Sequence, residues 1–574
     1  MPNRAWGQAS AFLDRFRRVG WFDLFLLLGV AGAMLGLTSL AGEWRTLRPA
    51  VHIDLSPSAL PVYVFYSLSR GLLAYGCSLL FTLAYGYWAA KDRLAQRVLL
   101  PLLDILQSIP VLGFMPGIVL GLVSLFPGSN IGLELASILM IFTGQAWNMT
   151  FSFYHSLRSV PKDQLEAATI YRFNWWQRLK WVELPFSAIG LVWNSMMSMA
   201  GGWFFLMITE SFVLGPKDFR LPGIGSYMSV AVAKGDVRAM LWAIAAMITM
   251  IVLLDQLVWR PVVVWSQKFR VEEGADEQIA SSWFFDFMKG SRLLHWIRAV
   301  VHRIAMSLKG HHHVQPPAAS TGRPTASRIV SLVMFALLAA GLAFGAWKLI
   351  EILRHVPPRE VLPILTAGGW TLGRVLLSTA LGTLWTLPAG LAIGLSPKWS
   401  RVFQPVVQVA ASFPAPMLFP LVIAMLKTAG VSLGWGSVLL MLLGTQWYIL
   451  FNVIAGSMTI PSDLREAARS YRMSLPLRFR SLYLPSVFPY LVTGWVTAAG
   501  GAWNASIVAE YVTFRGRVLA TDGLGAQISL AAEHADFPRL AASVILMAII
   551  VVSFNRTVWR RLYTMAEERF SLSK

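Results

Sequence analysis

A chain of 574 residues that is 56% hydrophobic and only 14% charged is not an ordinary soluble protein, in which about a quarter of the residues carry charge. Its net charge of +20 does not call for nucleic acid, because basic residues on a membrane protein mark the cytoplasmic face. The single cysteine, Cys77, excludes an intrachain disulfide framework.

In chain order, the apolar runs predict membrane spans near 21–41, 61–90, 98–126, 132–155, 186–209 and 237–265. Six more follow at 329–350, 368–396, 402–426, 434–455, 486–510 and 537–559. A helix crosses the hydrocarbon with about 20 residues, since lipid offers its backbone groups no water. Several runs are longer, which predicts tilted or interrupted helices. Arg15, Arg17 and Arg18 precede the first run without a small-residue cleavage site close behind, so no secretory signal is expected.

Twelve spans place both termini on one side of the membrane. With that side inside, about 34 of the 49 lysines and arginines fall in cytoplasmic segments and about 10 in external loops. Both ends are therefore expected in the cytoplasm. The segment 266–328 between the two sets of spans is of another kind. Trp283, Phe284, Phe287 and Trp296 interleave there with Lys289, Arg292, Arg298 and Arg303, the pattern of a helix lying in the headgroup layer. His311, His312 and His313 follow on a linker, where adjacent side chains converge poorly, so no metal site is expected.

The two sets repeat. Residues 160–185 align with 460–485 at an offset of 300 without a gap, matching Pro161 with Pro461, Asp163 with Asp463, Glu166 with Glu466 and Arg172 with Arg472. Trp203 and Trp503, Glu210 and Glu510, Gly223 and Gly523, and Trp259 and Trp559 keep that register. Upstream the offset becomes 304, matching Arg70 with Arg374 and Pro110 with Pro414. The fold expected is an all-α membrane protein of about twelve transmembrane helices in two parallel six-helix repeats. The units are 1–265 and 329–574, with 266–328 a cytoplasmic linker. Parallel repeats of this kind pack about a pseudo-two-fold axis along the membrane normal, with a pathway between them.

The best-kept stretch of the repeat is cytoplasmic, between the fourth and fifth spans of each unit. Asp163 and Asp463 each precede a glutamate by three residues, which predicts a helix opened by a capping box. Such a helix, present twice, is a natural docking surface for a two-fold partner.

At these residues the chain resembles the permeases of ABC importers. Glu166, Ala167 and Ala168 followed by Leu184-Pro185, and Glu466, Ala467 and Ala468 followed by Leu484-Pro485, are similar to that family's EAA loop. The echo of 255–261 in 555–561 and the Ser-x-Pro of the third span resemble the nitrate, sulfonate, taurine and bicarbonate class. The resemblance implies a bacterial inner-membrane importer of a small solute, an anion in that class, with two permease units fused in one chain. It also implies two copies of a separate ATPase docked on the loops, a periplasmic solute-binding protein, and alternating access driven by ATP. The residues it assigns to coupling are Asp163, Glu166, Ala167, Ala168 and Arg172, with Asp463, Glu466, Ala467, Ala468 and Arg472. No G-x-x-x-x-G-K-[ST] phosphate loop occurs, so ATP belongs to the partner, and neither a bound cofactor nor catalysis is expected of this chain.

One departure stands out. Arg172 and Arg472 occupy the place of the family's glycine, which predicts a straighter loop or a turn carried instead by Asn174. Two alternatives compete with the resemblance. A major-facilitator-like secondary transporter also has twelve spans, but its basic motif is wrongly spaced in 86–97. A membrane enzyme needs converging polar groups, and His155 and Asp104 stand apart.

The repeat also picks out Arg70 with Glu210 and Arg374 with Glu510. At about 1.5 Å per residue both pairs fall toward the outer leaflet, within an arginine's reach of each other. An ionisable group at such depth is paired or lines a cavity. Either they are structural ion pairs, or they line the outer vestibule as a gate that exchanges partners.

Overall fold

Uninterrupted apolar sequence sets the long helices, and the third span of each unit breaks at a proline, Pro110 or Pro414. The computed structural model describes residues 52–108, 110–214, 217–269, 284–286, 324–514 and 517–570. In the first unit, α1 (Leu60–Lys91) has 32 residues, about 48 Å of helix against a hydrocarbon layer of about 30 Å. The third span is broken into α2 (Arg93–Ser108), a tight turn at Val111–Phe114 and α3 (Met115–Leu125). Pro110 heads the turn and Pro116 sits in the first turn of α3, where its missing N–H leaves no intrahelical bond unmade.

Next come α4 (Ile131–Arg158), the loop helices α5 (Lys162–Ile170) and α6 (Trp175–Arg178), and α7 (Leu184–Thr209). A hairpin of β1 (Ser211–Leu214) and β2 (Lys217–Arg220) pairs Ser211 with Arg220. It leads into α8 (Ile224–Lys234), α9 (Val237–Leu254) and α10 (Arg260–Ser266). The hairpin bonds its two strands to each other.

The second unit repeats this order. A long helix, α11 (Pro324–Leu353), precedes α12 (Pro358–Gly394). The broken span is α13 (Pro397–Ser412), a turn at Ala415–Met417 and α14 (Phe419–Thr428). Then follow α15 (Leu433–Met458), α16 (Ser462–Ser470), α17 (Leu475–Arg478), α18 (Leu484–Ala509), the hairpin β3 (Tyr511–Phe514) and β4 (Arg517–Ala520), α19 (Leu524–Glu533), α20 (Phe537–Phe554) and α21 (Arg560–Phe570). Four π turns, at Leu179–Glu183, Asp255–Trp259, Phe479–Tyr483 and Asn555–Trp559, fall at matching places in the two units.

Eleven of the twelve expected spans thus fall on helices, and the expected interruption is found in the third span of each unit. The run at 21–41, the histidines 311–313 and all of the segment 266–328 except residues 266–269, 284–286 and 324–328 lie outside the described residues. Six helical stretches among the described residues are individually long and apolar enough to cross a membrane.

Within each unit the fourth span is the centre, with α4 packed on α1 and α7, and α15 packed on α12 and α18. Between units the contacts are reciprocal. α2 and its turn pack on α18 and α20 of the second unit, while α13 and its turn pack on α7 and α9 of the first. At the hairpin end α8 meets β3, and α19 meets β1. One hydrophobic core runs through both units and holds Trp203, Trp259, Trp503 and Trp559.

Candidate functional site

Three features are positioned by this frame: a buried ion cluster in each unit, the two loops between the fourth and fifth spans, and a cavity between the units.

In the first unit Glu210 closes α7, and its carboxylate turns back under the N-terminus of α8. It accepts from the Gly225 N–H at 2.7 Å and from Ser67 Oγ at 2.6 Å. Arg70 Nη1 on α1 donates to Glu210 Oε1 at 2.8 Å and to the Pro222 carbonyl at 2.8 Å. Both side chains are fully buried. A Cβ on Gly223 would stand 2.3 Å from Glu210 Oε2, so the glycine is required for the carboxylate's close approach.

The second unit repeats the arrangement. Arg374 Nη1 donates to Glu510 Oε1 at 2.8 Å, Thr371 takes the place of Ser67, and the Gly525 N–H donates to Glu510 Oε2 at 2.9 Å. The two expected pairs are therefore in contact, and none of the four residues lines the cavity between the units.

Sequence reasoning missed the third member of the first cluster. Glu134, in the first turn of α4, takes Arg70 Nε at 2.6 Å and Nη2 at 2.7 Å as a two-pronged pair. The repeat register puts Gly434 at this place in the second unit, where its carbonyl accepts from Arg374 Nε at 3.2 Å. One guanidinium thus holds two carboxylates in the first unit and one in the second.

Each loop between the fourth and fifth spans folds as two short helices joined by a turn. α5 starts at Lys162 with Pro161 as its cap, and α16 starts at Ser462 after Pro461. The expected capping box is therefore not formed at Asp163 or Asp463. Proline takes the cap position, and the carboxylates lie inside the first turn, favourably placed toward the helix dipole. The capping box of this loop is at Asn174, which exchanges bonds with Gln177 at the start of α6.

The expectation of a straighter loop is also overturned. Arg172 and Arg472 take φ values of 53° and 47°, the left-handed conformation that a glycine adopts freely. The Arg172 N–H bonds to the Thr169 carbonyl and the Phe173 N–H to the Ala168 carbonyl, which is the Schellman end of a helix. The same two bonds recur at Arg472 and Met473. Arginine here costs about 1–2 kcal/mol relative to a relaxed backbone, and the turn forms regardless.

Ala168 and Ala468 are buried, while Glu166, Glu466, Arg172 and Arg472 are exposed. Beside them Tyr171, Trp175, Tyr471 and Leu475 are 75%, 65%, 82% and 75% exposed, a ledge of apolar surface that nothing among the described residues covers. One unit anchors its loop more firmly. Buried Glu183 accepts from Lys91 Nζ at 2.5 Å and from Arg178 Nε at 2.8 Å. In the second unit Leu395 and Tyr483 stand at the places of Lys91 and Glu183, and Arg478 Nε is buried with no partner among the described residues.

A cavity of about 220 Å³ lies between the units, lined from both sides by Gln107, Thr143, Asn148, Thr445, Tyr448, Thr497 and Asn504 with aromatic neighbours. Among the described residues no carboxylate, guanidinium, ammonium or imidazole lines it. Trp147 and Asn504 are among the lining residues, and Trp147 Nε1 and Asn504 Oδ1 are buried without a hydrogen-bond partner among the described residues.

The ion clusters make a quantitative expectation. Removing one partner of a buried ion pair costs about 3–5 kcal/mol, and Arg70→Gln strands two carboxylates where Arg374→Gln strands one. In detergent, Arg70→Gln should lose more monodisperse protein and more melting temperature than Arg374→Gln. Restoring the first should need both Glu134→Gln and Glu210→Gln. Equal losses for the two arginines would contradict this reading.

The family description "binding-protein-dependent transport system inner membrane component" matches residues 83–258 and again 382–571. The chain is 26% identical over 232 residues to the taurine transport system permease protein TauC of Escherichia coli, covering 38% of this chain and 79% of that one. It is 28% identical over 148 residues to the nitrate import permease protein NrtB of Leptolyngbya laminosa, covering 25% and 52%. With the bicarbonate transport system permease protein CmpB of a Synechocystis strain it shares 27% over 142 residues, covering 25% and 49%. The chain thus spans about half the length of the nitrate and bicarbonate relatives. The double match displaces the major-facilitator alternative and agrees with the internal repeat. The chain is a member of the family of binding-protein-dependent transport system inner membrane components and carries the family's membrane unit twice.

Proposed function

We propose that this chain forms the complete membrane pathway of an ATP-driven importer for a small anion, with both termini in the cytoplasm. The observation that carries the reading is the pair of loops: two short helices with an exposed glutamate, a left-handed turn and an uncovered apolar ledge, present once per unit. An exposed apolar ledge on a polar loop marks a protein contact. A copy of the ATPase binds each loop, and ATP closes the ATPase pair, draws the loops together and exchanges the open side of the cavity. Solute reaches the outer side on a periplasmic binding protein.

The cavity fits a small polar solute. Amide, hydroxyl and indole N–H groups can hold an anion without neutralising it, which permits release as well as binding. The unpartnered Trp147 N–H supports this. The taurine, nitrate and bicarbonate named for the relatives are all small solutes with anionic oxygens, and they favour an anion here.

Glu166→Lys combined with Glu466→Lys reverses charge on both loops without touching the buried core. The double variant should reach the membrane folded, fail to retain the ATPase on purification, and lose solute-stimulated ATP hydrolysis. Normal coupling in that variant would defeat the docking role, and a parent complex unstimulated by any small anion would defeat the substrate class.

Orientation is tested separately. Cysteines at Ser10, Ser320 and Ser571 in a Cys77→Ser background should resist an impermeant thiol reagent applied to intact cells. Labelling of any one from outside would reverse the topology.

A further inference from the structure

The contacts between the units include a buried polar link between side chains. Asp255, on the π turn at the end of α9, is buried, and its Oδ1 accepts from Gln408 Nε2 on α13 of the second unit at 3.0 Å. Its Oδ2 accepts from Gln256 at 3.1 Å and lies 3.3 Å from Arg260 Nε. A carboxylate of the first unit therefore faces a carboxamide of the second.

The repeat register shows what stands at the mirrored place. Asp255 corresponds to Asn555 on the matching π turn, since Trp259-Arg260 corresponds to Trp559-Arg560. Gln408 corresponds to Asp104, because Pro101 within α2 corresponds to Pro405 within α13. Each crossing of the interface thus brings one acid position and one amide position to facing elements, and the acid is on the first unit both times.

We infer that this acid–amide placement is a pairing code: the first unit is built to accept the second unit as its partner and to reject another first unit. Two first units would bring Asp104 of one opposite Asp255 of the other, at both crossings. Two carboxylates cannot replace the carboxylate–carboxamide bond, and Arg260 supplies charge for only one of them. Two second units would face Gln408 with Asn555, which carries no charge penalty. Because the units are fused one to one, any chain pair that joins second units leaves two first units to each other. The carboxylate clash alone therefore drives pairing within one chain.

The full-length protein can be tested by reversing the link. Gln408→Asp recreates at one crossing the acid–acid contact of two first units. Asp255→Asn together with Gln408→Asp moves the acid to the other side, the order of residue types that the repeat register gives the matching pair, Asn555 and Asp104. Gln408→Asp should lower the melting midpoint by at least about 2 °C, and the double change should recover most of that loss. An unchanged midpoint in Gln408→Asp, or a double variant no better than the single one, would overturn the inference. Cysteines at 255 and 408 in a Cys77→Ser background add a readout of partner choice. Oxidation should give a cross-linked monomer on a denaturing gel, and disulfide-linked dimers as the main product would overturn the pairing within one chain.

Discussion

A guanidinium buried inside a membrane bundle must be met by carboxylate, and that requirement organises each unit. Arg70 on α1 reaches Glu210 at the end of α7, and Glu210 also holds the N-terminus of α8 through the Gly225 N–H. One ion pair therefore fixes three elements together, at the point where the chain leaves a membrane helix, makes a hairpin and turns back. Ser67 or Thr371, the two glycines after the hairpin and the closing glutamate all belong to this single constraint. The duplicated Gly-x-Gly that looks like a turn signal in the sequence is there to make room for a carboxylate.

The units are equivalent in architecture and unequal in chemistry. The first has a second carboxylate on its arginine and an anchored loop, with Glu183 joining Lys91 and Arg178. The second has a backbone carbonyl in place of Glu134 and lacks the Glu183 anchor. Their lining residues differ as well: Asn148 meets the cavity from one side where Tyr448 meets it from the other. A pathway built from two different units need not treat a solute alike from both sides, which a pair of identical subunits must do.

What could be read from the sequence was whatever the repeat wrote twice. Arg70 with Glu210 and Arg374 with Glu510 emerged because both members recur, and helical rise put them at one depth. Glu134 was missed because its counterpart is Gly434, and a comparison of halves discards a residue present in one. The signal that could have found it is a glutamate in the first turn of an apolar span, which is costly unless paired. The loop helices were located correctly, yet their capping was misassigned, since Pro161 and Asp163 both suit a helix start and only the backbone angles separate them. The left-handed arginines ran against residue preference. There the hydrogen bonds of the helix end outweighed a local cost that composition alone would have forbidden. The hairpins and π turns depend on tertiary register and left no periodic trace.

In the proposed function, movement of the loops is where structure and transport meet. Lys162 and Ser462 are exposed at the starts of α5 and α16, so both accept spin labels without disturbing the core. Distances between labels at these two positions can be measured in the complex with its ATPase, before and after ATP is added in the presence of solute. ATP-driven alternating access requires the distance to shorten when nucleotide binds and to recover after hydrolysis. A distance that stays fixed while ATP is hydrolysed and solute crosses would contradict it.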